Sequence, residues 1–423
     1  MRHASPPSAP AGSVPHPNAP PSRRLTVRLR GGAYHLARYP DTGVQHAPDC
    51  GFFEPKPGTS GVEAYGPEAR STSPDGGDVR VRLTFGRRVA EPGTDAAGEA
   101  LPRWATGKEQ RGGLPRMTPL GLLHELWELA GLTFWPGGGP PARTHALGQA
   151  RHALIEVAGA ITWGDGSLVE RLSVVIPGGA VARDAEVAET ARVLAAPRTA
   201  HEHVVAISLW SGAVPSRFDG GLALVRLAQG GTDYHFRLQT SPDLVDGWLR
   251  RFDTALRLGM REGVRVAALL VCEPPLEDRA GRAAWRVVTG GLMARTSQLV
   301  PVDSASELEL ANYLVRSGRR FRRPLRFDAG RDAVMPDFVL HDVAGRGEVP
   351  LEVFGMATEA YAARRAEEAH YTATYGPGRW WRWVAASADP REAEPLATAL
   401  ARLPRPGPPE PDRPHRRPDI LTG

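Results

Sequence analysis

Apolar and polar positions alternate at Leu25, Val27 and Leu29, a Gly31-Gly32 turn follows, and the alternation resumes at Tyr34 and Leu36. A period of two on both sides of a glycine turn predicts a β-hairpin. Residues 79–85 alternate likewise and predict a strand. The period then changes. Thr118-Pro119 precedes Leu122, Leu123, Leu126, Trp127 and Ala130, and Gly131 follows. A cap residue, a proline at the first helical position and an i, i+3, i+4 stripe predict an amphipathic helix with Trp127 in the core. A second helix is expected over 144–158, with Leu147, Leu154 and Val157 inward. Residues 204–209 read as a strand, and 222–227 with 234–238 as a hairpin through Gly230-Gly231. Ser241-Pro242 caps a helix whose Leu244, Trp248, Phe252 and Leu256 face the core, and an apolar strand over 264–271 ends at Cys272. Ser304 and Glu307 open a further helix carrying Leu310, Ala311, Leu314 and Val315. Two short apolar runs then each carry one acid, Asp337 in 335–340 and Glu352 in 349–355, with Gly345 and Gly347 between them. They read as adjacent strands. A helix over 358–375 and a strand over 380–384 complete the pattern, with Trp381 facing opposite to its neighbours.

This is an α/β (α+β mixed) chain of several domains. Residues 1–24 are rich in Pro, Ser and Ala without apolar periodicity and read as a disordered leader; 404–423 read as a disordered tail. Between them lie a β-rich module over 25–95, a central α/β region over 96–300 and a last domain over 301–403. The glycine-rich stretch 136–141 lacks the Gly-Lys-Ser/Thr ending of a phosphate loop, so it reads as a linker.

Composition narrows the function. The 423 residues are 41% hydrophobic and 23% charged, room for a sizeable core. A net charge of +5 is compatible with nucleic acid. Two cysteines, Cys50 and Cys272, make no disulfide framework and fit a reducing cytoplasm. No apolar run approaches the ~18–20 residues of a membrane span. Lys56 and Lys108 are the only lysines, so the last domain has none of its own. His46 and Cys50 have the spacing of half a zinc site, but no second cysteine lies near, so zinc is not expected.

Paired strands can bring Asp337 and Glu352 within reach of one hard divalent cation such as Mg²⁺, which takes oxygen ligands. Upstream, Arg319, Arg320, Arg322, Arg323 and Arg326 surround Phe321 and Leu325 and could hold a nucleic-acid backbone near that ion. The order helix with an acid, strand, Pro-Asp strand, Glu strand, helix, strand resembles the PD-(D/E)xK nuclease superfamily. That resemblance implies Asp337 and Glu352 as metal ligands, Glu307 as the helix carboxylate, and water attack on a phosphodiester. It also implies a lysine two residues after the glutamate, where this chain has Phe354. Some relatives carry that lysine on the next helix, where this chain offers Arg365. An arginine can hold a phosphate but is too basic to act as a general base.

Several separated stretches resemble one family of proteobacterial proteins, domain of unknown function 1173, found on plasmids and integrative elements. They are Tyr39 to Gly43, His46 to Cys50, Gly121 to Trp127, Arg323 to Asp328, Pro336 to Leu340 and Pro350 to Met356. The resemblance spans roughly residues 25–390. Relatives carry a Cys-x-Cys pair upstream of the His-x3-Cys and a lysine on the helix after the glutamate strand; both are missing here. The expectation is a nucleic-acid-binding protein with a nuclease-like domain, cutting or retired. The alternative is a non-catalytic scaffold built on the same fold.

Overall fold

The structure is a computed structural model and describes residues 25–30, 33–38, 69–73, 78–89, 116–138, 147–174, 193, 201–215, 223–227, 238–277, 283–326, 335–354, 361–385 and 392–407. The side chains of 25–38, 147–149, 214–215, 223–227, 275–277, 283–284 and 361–367 are outside that description, as are His46 and Cys50. The expected hairpin is present: β1 (Leu25–Arg30) pairs antiparallel with β2 (Ala33–Arg38). It belongs to a unit of residues 1–59 and 329–333, separate from the rest of the chain.

In the larger unit, β3 (Arg70–Thr72) and β4 (Val79–Val81) form an antiparallel pair. Helix α1 (Pro119–Leu129) begins where the sequence places it, with the Thr118 hydroxyl accepting from the Gly121 N–H at 3.2 Å. Its stripe of Leu122, Leu123, Leu126 and Trp127 is buried, and the Trp127 indole donates to the Leu299 carbonyl at 3.1 Å. The helix ends at Gly131, whose φ of +66° suits glycine, and the chain continues as β5 (Phe134–Trp135). Helix α2 (Leu147–Gly159) leads to β6 (Ile161–Trp163), parallel to β4, and β7 (Gly166–Ser167). Val79, Leu122, Leu154 and Ile161 share one core.

The next six strands form one sheet. They are β8 (Leu172–Val174), β9 (Val204–Pro215), β10 (Ala223–Leu227), β11 (Leu238–Thr240), β12 (Val264–Glu277) and β13 (Ala283–Thr296). Between β11 and β12 lie α3 (Pro242–Arg251) and α4 (Asp253–Gly259). The Ser241 hydroxyl caps α3 at the Leu244 N–H. The first half of β9, Val204–Leu209, pairs with β12, and its second half pairs with β10. The register slips between them: Trp210 faces Leu227, Gly212 faces Arg226, and Ser211 is the extra residue. Such a bulge bends a strand, and Gly212, at φ +117°, takes up the backbone strain. β10 pairs with β11, β11 runs parallel to β13, and β13 pairs with β12, so the circuit closes into a barrel. Val204, Ala206, Leu238, Leu270, Cys272, Trp285 and Val287 fill it, with Trp248 and Phe252 from the helices. Burial pushes the Cys272 thiol far up, so this cysteine is an inert core residue.

The two long barrel strands also present an outer apolar face to α1. Contact is close at Gly291, where an added Cβ would lie 2.5 Å from the Leu120 backbone nitrogen. Gly291→Ala is therefore expected to lower stability by about 1–3 kcal/mol in urea unfolding. Gly247, inside α3 with open space around it, should instead gain up to about 1 kcal/mol as alanine.

The last layer starts with α5 (Ala305–Arg316), then β14 (Phe321–Arg322), β15 (Phe338–Val343), β16 (Gly347–Phe354), α6 (Tyr361–Tyr375), β17 (Trp381–Val384) and α7 (Leu396–Leu400). β14, β15 and β16 are an antiparallel meander, and α6 carries the chain over to β17, parallel to β16. β5 pairs with the free edge of β14. Strand pairing thus crosses the boundaries expected at 95 and 300. β4 joins β6, and β5 joins the last sheet. Trp381 and Trp383 point together into the core, donating to the Ala399 and Glu394 carbonyls, while Trp380 stacks on Tyr371.

Candidate functional site

Of the acids singled out by the sequence, Glu307 and Asp337 gather about Arg323, where α5, β14 and β15 meet. Ser304 caps α5 by accepting from the Glu307 N–H at 3.0 Å, and the Glu307 carboxylate reaches back to accept from the Asp303 N–H at 3.1 Å. This reciprocal arrangement fixes Glu307 at the helix start. The Arg323 guanidinium closes on it. Its Nε and Nη2 donate to the same Glu307 oxygen at 3.2 and 2.9 Å, Nη2 also donates to Asp303 at 2.9 Å, and Nη1 donates to the Pro324 carbonyl at 2.6 Å. The Arg323 side chain is 0% exposed and lies 5.7 Å from the centre of the Phe338 ring. Burial works against its charge, but Glu307, Asp303 and Asp337 outweigh that, and the guanidinium stays cationic. Burial pushes the Glu307 carboxyl up, and Arg323 opposes the shift. An aligned, hydrogen-bonded guanidinium keeps such a pair ionic.

Asp337 is half-buried at the start of β15 and accepts from the Val353 N–H at 2.8 Å, across to β16. Glu352, one residue earlier on β16, is 8% exposed. Its carboxylate accepts from the Tyr371 hydroxyl of α6 at 2.7 Å. Tyr371 is itself fixed by stacking on Trp380 and Tyr375, with ring centres 5.0 and 6.0 Å away. Phe354, at the position of the nuclease lysine, is buried. The side chain of Arg365 lies outside the described residues.

The structure divides the five arginines. Arg319 is buried in a two-pronged pair with Asp342, both bonds at 2.7 Å, and Arg323 is the buried cation just described. These two hold carboxylates inside the protein and do not line an open phosphate track. Arg320 lies 5.9 Å from the centre of the Phe134 ring, Arg326 approaches Glu125 at 3.6 Å, and Arg322 is half-buried on β14.

Helix α1 supplies residues that the sequence pattern treats only as part of an amphipathic helix. Glu125 is buried and accepts from Arg70 at 2.6 Å; Glu128 accepts from the Leu325 N–H at 2.7 Å and the Thr133 hydroxyl at 3.2 Å. His124 is buried, and its Nδ1 has no hydrogen-bond partner among the described residues. Burial pushes its pKa down to about 4; Asp303 opposes the shift and Arg323 adds to it. A cavity of about 980 Å³ is lined by Arg346, Trp380, Arg382, Arg402 and Arg405. Arg382 is paired with Glu368 and Arg402 with Glu394, so the charge there is mixed.

A family model described as a protein of unknown function (DUF1173) matches residues 19–386. The chain belongs to the DUF1173 family. No curated protein and no solved structure matches it. Three of the stretches that carry the DUF1173 resemblance meet in this cluster. Gly121–Trp127 brings His124 and Glu125, the stretch from Arg323 to Asp328 brings the cation, and the stretch from Pro336 to Leu340 brings Asp337. Among the described residues no group of three or more His, Cys, Asp or Glu is placed to hold a metal ion. Glu307 is neutralised by a fixed guanidinium, and Asp337 and Glu352 each already accept a protein hydrogen bond.

Proposed function

We propose that this DUF1173 protein binds nucleic acid in the cytoplasm, in the setting of a plasmid or integrative element. Its last layer keeps the arrangement of a PD-(D/E)xK nuclease without cutting. The observation that carries this reading is Arg323, a cation built into the chain among Glu307, Asp303 and Asp337. The helix–three strands–helix–strand order supports the likeness to the nuclease core. The acids are held together by a side chain that cannot leave, and buried Phe354 stands in the lysine's place. A centre of this kind can organise the fold and a nearby surface. The last domain has no lysine to assist an attacking water, and arginine is too basic to act as a general base.

The test is incubation of plasmid DNA, single-stranded DNA and RNA with Mg²⁺ or Mn²⁺, comparing the natural chain with Asp337→Ala. The expected result is no cutting by either, together with nucleic-acid binding that weakens steeply with salt. Metal-dependent cutting abolished by Asp337→Ala would overturn the non-cutting reading. Neither cutting nor binding would favour the alternative, a scaffold for protein contacts.

A further inference from the structure

We propose that the closed barrel of β9–β13 is a binding module for single-stranded nucleic acid, and that the strand lies across β10, β11 and the exposed end of β13. This inference rests on the nucleic-acid reading above and assigns it a surface. Counted in chain order, the five barrel strands are joined in the circuit 1-2-3-5-4-1. Every contact is antiparallel except 3 with 5, and α3 and α4 intervene between 3 and 4. That connectivity is the five-stranded Greek key of the OB type, which takes oligonucleotides on the face of its second and third strands. The bulge at Ser211 and Gly212 lets one long first strand serve two neighbours, as the closure requires.

Packing decides which surface is available. The lumen is filled by Leu270, Trp285, Val287 and Trp248, so a ligand must lie outside it. The β12–β13 side carries α1, with Leu120 against Gly291. The register defines the other side. Leu238 and Trp285 are paired and both belong to the barrel core, so their neighbours Gln239 and Arg286, also paired, face away from the lumen, Gln239 buried and Arg286 exposed. Val225 pairs with Leu238, and Arg226 is the next residue along β10. The Arg286 side chain is 56% exposed and is steadied by Glu273 at 2.7 Å. An exposed arginine on a curved sheet face suits a flexible phosphate backbone, which a barrel groove follows one strand at a time.

The experiment is fluorescence anisotropy with the full chain and a labelled oligo-dT of about 20 nucleotides, longer than the ~4–16 that one such barrel covers. A duplex of the same length is the comparison. The expected result is at least about tenfold tighter binding of the single strand. Arg226→Glu/Arg286→Glu should lose at least about tenfold and shallow the salt slope by about 1.4, as two phosphate contacts would. Arg226→Lys/Arg286→Lys should keep most of the affinity, and all variants should unfold at the natural temperature. Equal or tighter duplex binding, or charge-reversed variants that bind the single strand unchanged, would overturn the barrel assignment while leaving a nucleic-acid-binding protein. Absence of binding to either probe would overturn both proposals.

Discussion

Replacing Arg323 by leucine is expected to cost about 3–5 kcal/mol of stability at neutral pH, the usual effect of removing one partner of a buried ion pair. The guanidinium donates to Glu307, Asp303 and the Pro324 carbonyl, so its loss leaves the buried Glu307 carboxylate with only the Asp303 N–H and removes the donor to a buried carbonyl. Glu307 would then fold most easily as the neutral acid, because its burial already raises its pKa. The deficit should therefore shrink when unfolding is measured at pH 5 instead of pH 7. Arg323→Leu/Glu307→Leu should recover much of the loss, since an apolar pair of similar volume often matches a buried salt bridge. Urea unfolding of the two single variants and the double variant gives the coupling directly. A loss under about 1 kcal/mol for Arg323→Leu would mean that the cluster does not hold this layer together.

Acidification should weaken the protein through His124. Burial holds its folded pKa at about 4, and the unfolded chain restores the ordinary value of about 6.5. Between those values the unfolded state binds the extra proton, so stability rises with pH. The contribution is complete above about pH 6.5 and is lost as pH falls towards 4, with a full size of about 3 kcal/mol. Glu307 works in the opposite direction, because its raised folded pKa favours the folded state as acid is added. Comparing the natural chain with His124→Gln at pH 7, 5.5 and 4.5 isolates the histidine, since Glu307 is common to both. The variant should lose less stability over that range than the natural chain. Parallel pH profiles would show that His124 does not titrate in this window.

The features legible in the sequence are those decided over short distances. Thr118-Pro119, Ser241-Pro242 and the Ser304–Glu307 pair mark three helix starts by local hydrogen bonding, and all three stand where expected. The adjacency of the Asp337 and Glu352 strands was also legible, because glycines and alternating apolar runs define a hairpin locally. Barrel closure was not. It depends on β11 lying parallel to β13, a pairing across about 45 residues with no local signature, and on a strand at Ala283–Thr296 interrupted by Gly290 and Gly291. The fate of the arginine run was equally hidden. A half-buried arginine and one sealed against a carboxylate sixteen or twenty residues away look alike in sequence, and only the fold separates Arg326 from Arg323.

Strand β5 is two residues long, yet it edges a sheet whose other members lie near the far end of the chain. During synthesis Trp135 leaves the ribosome about 185 residues ahead of its partner Phe321, a wait of about 10–40 s at ordinary translation speeds. For that interval an indole destined for complete burial has no sheet to enter. The nascent chain therefore carries a sticky segment through nearly half of its own manufacture. A fragment begun at residue 301 would face the mirror problem, a bare β14 edge able to recruit other chains.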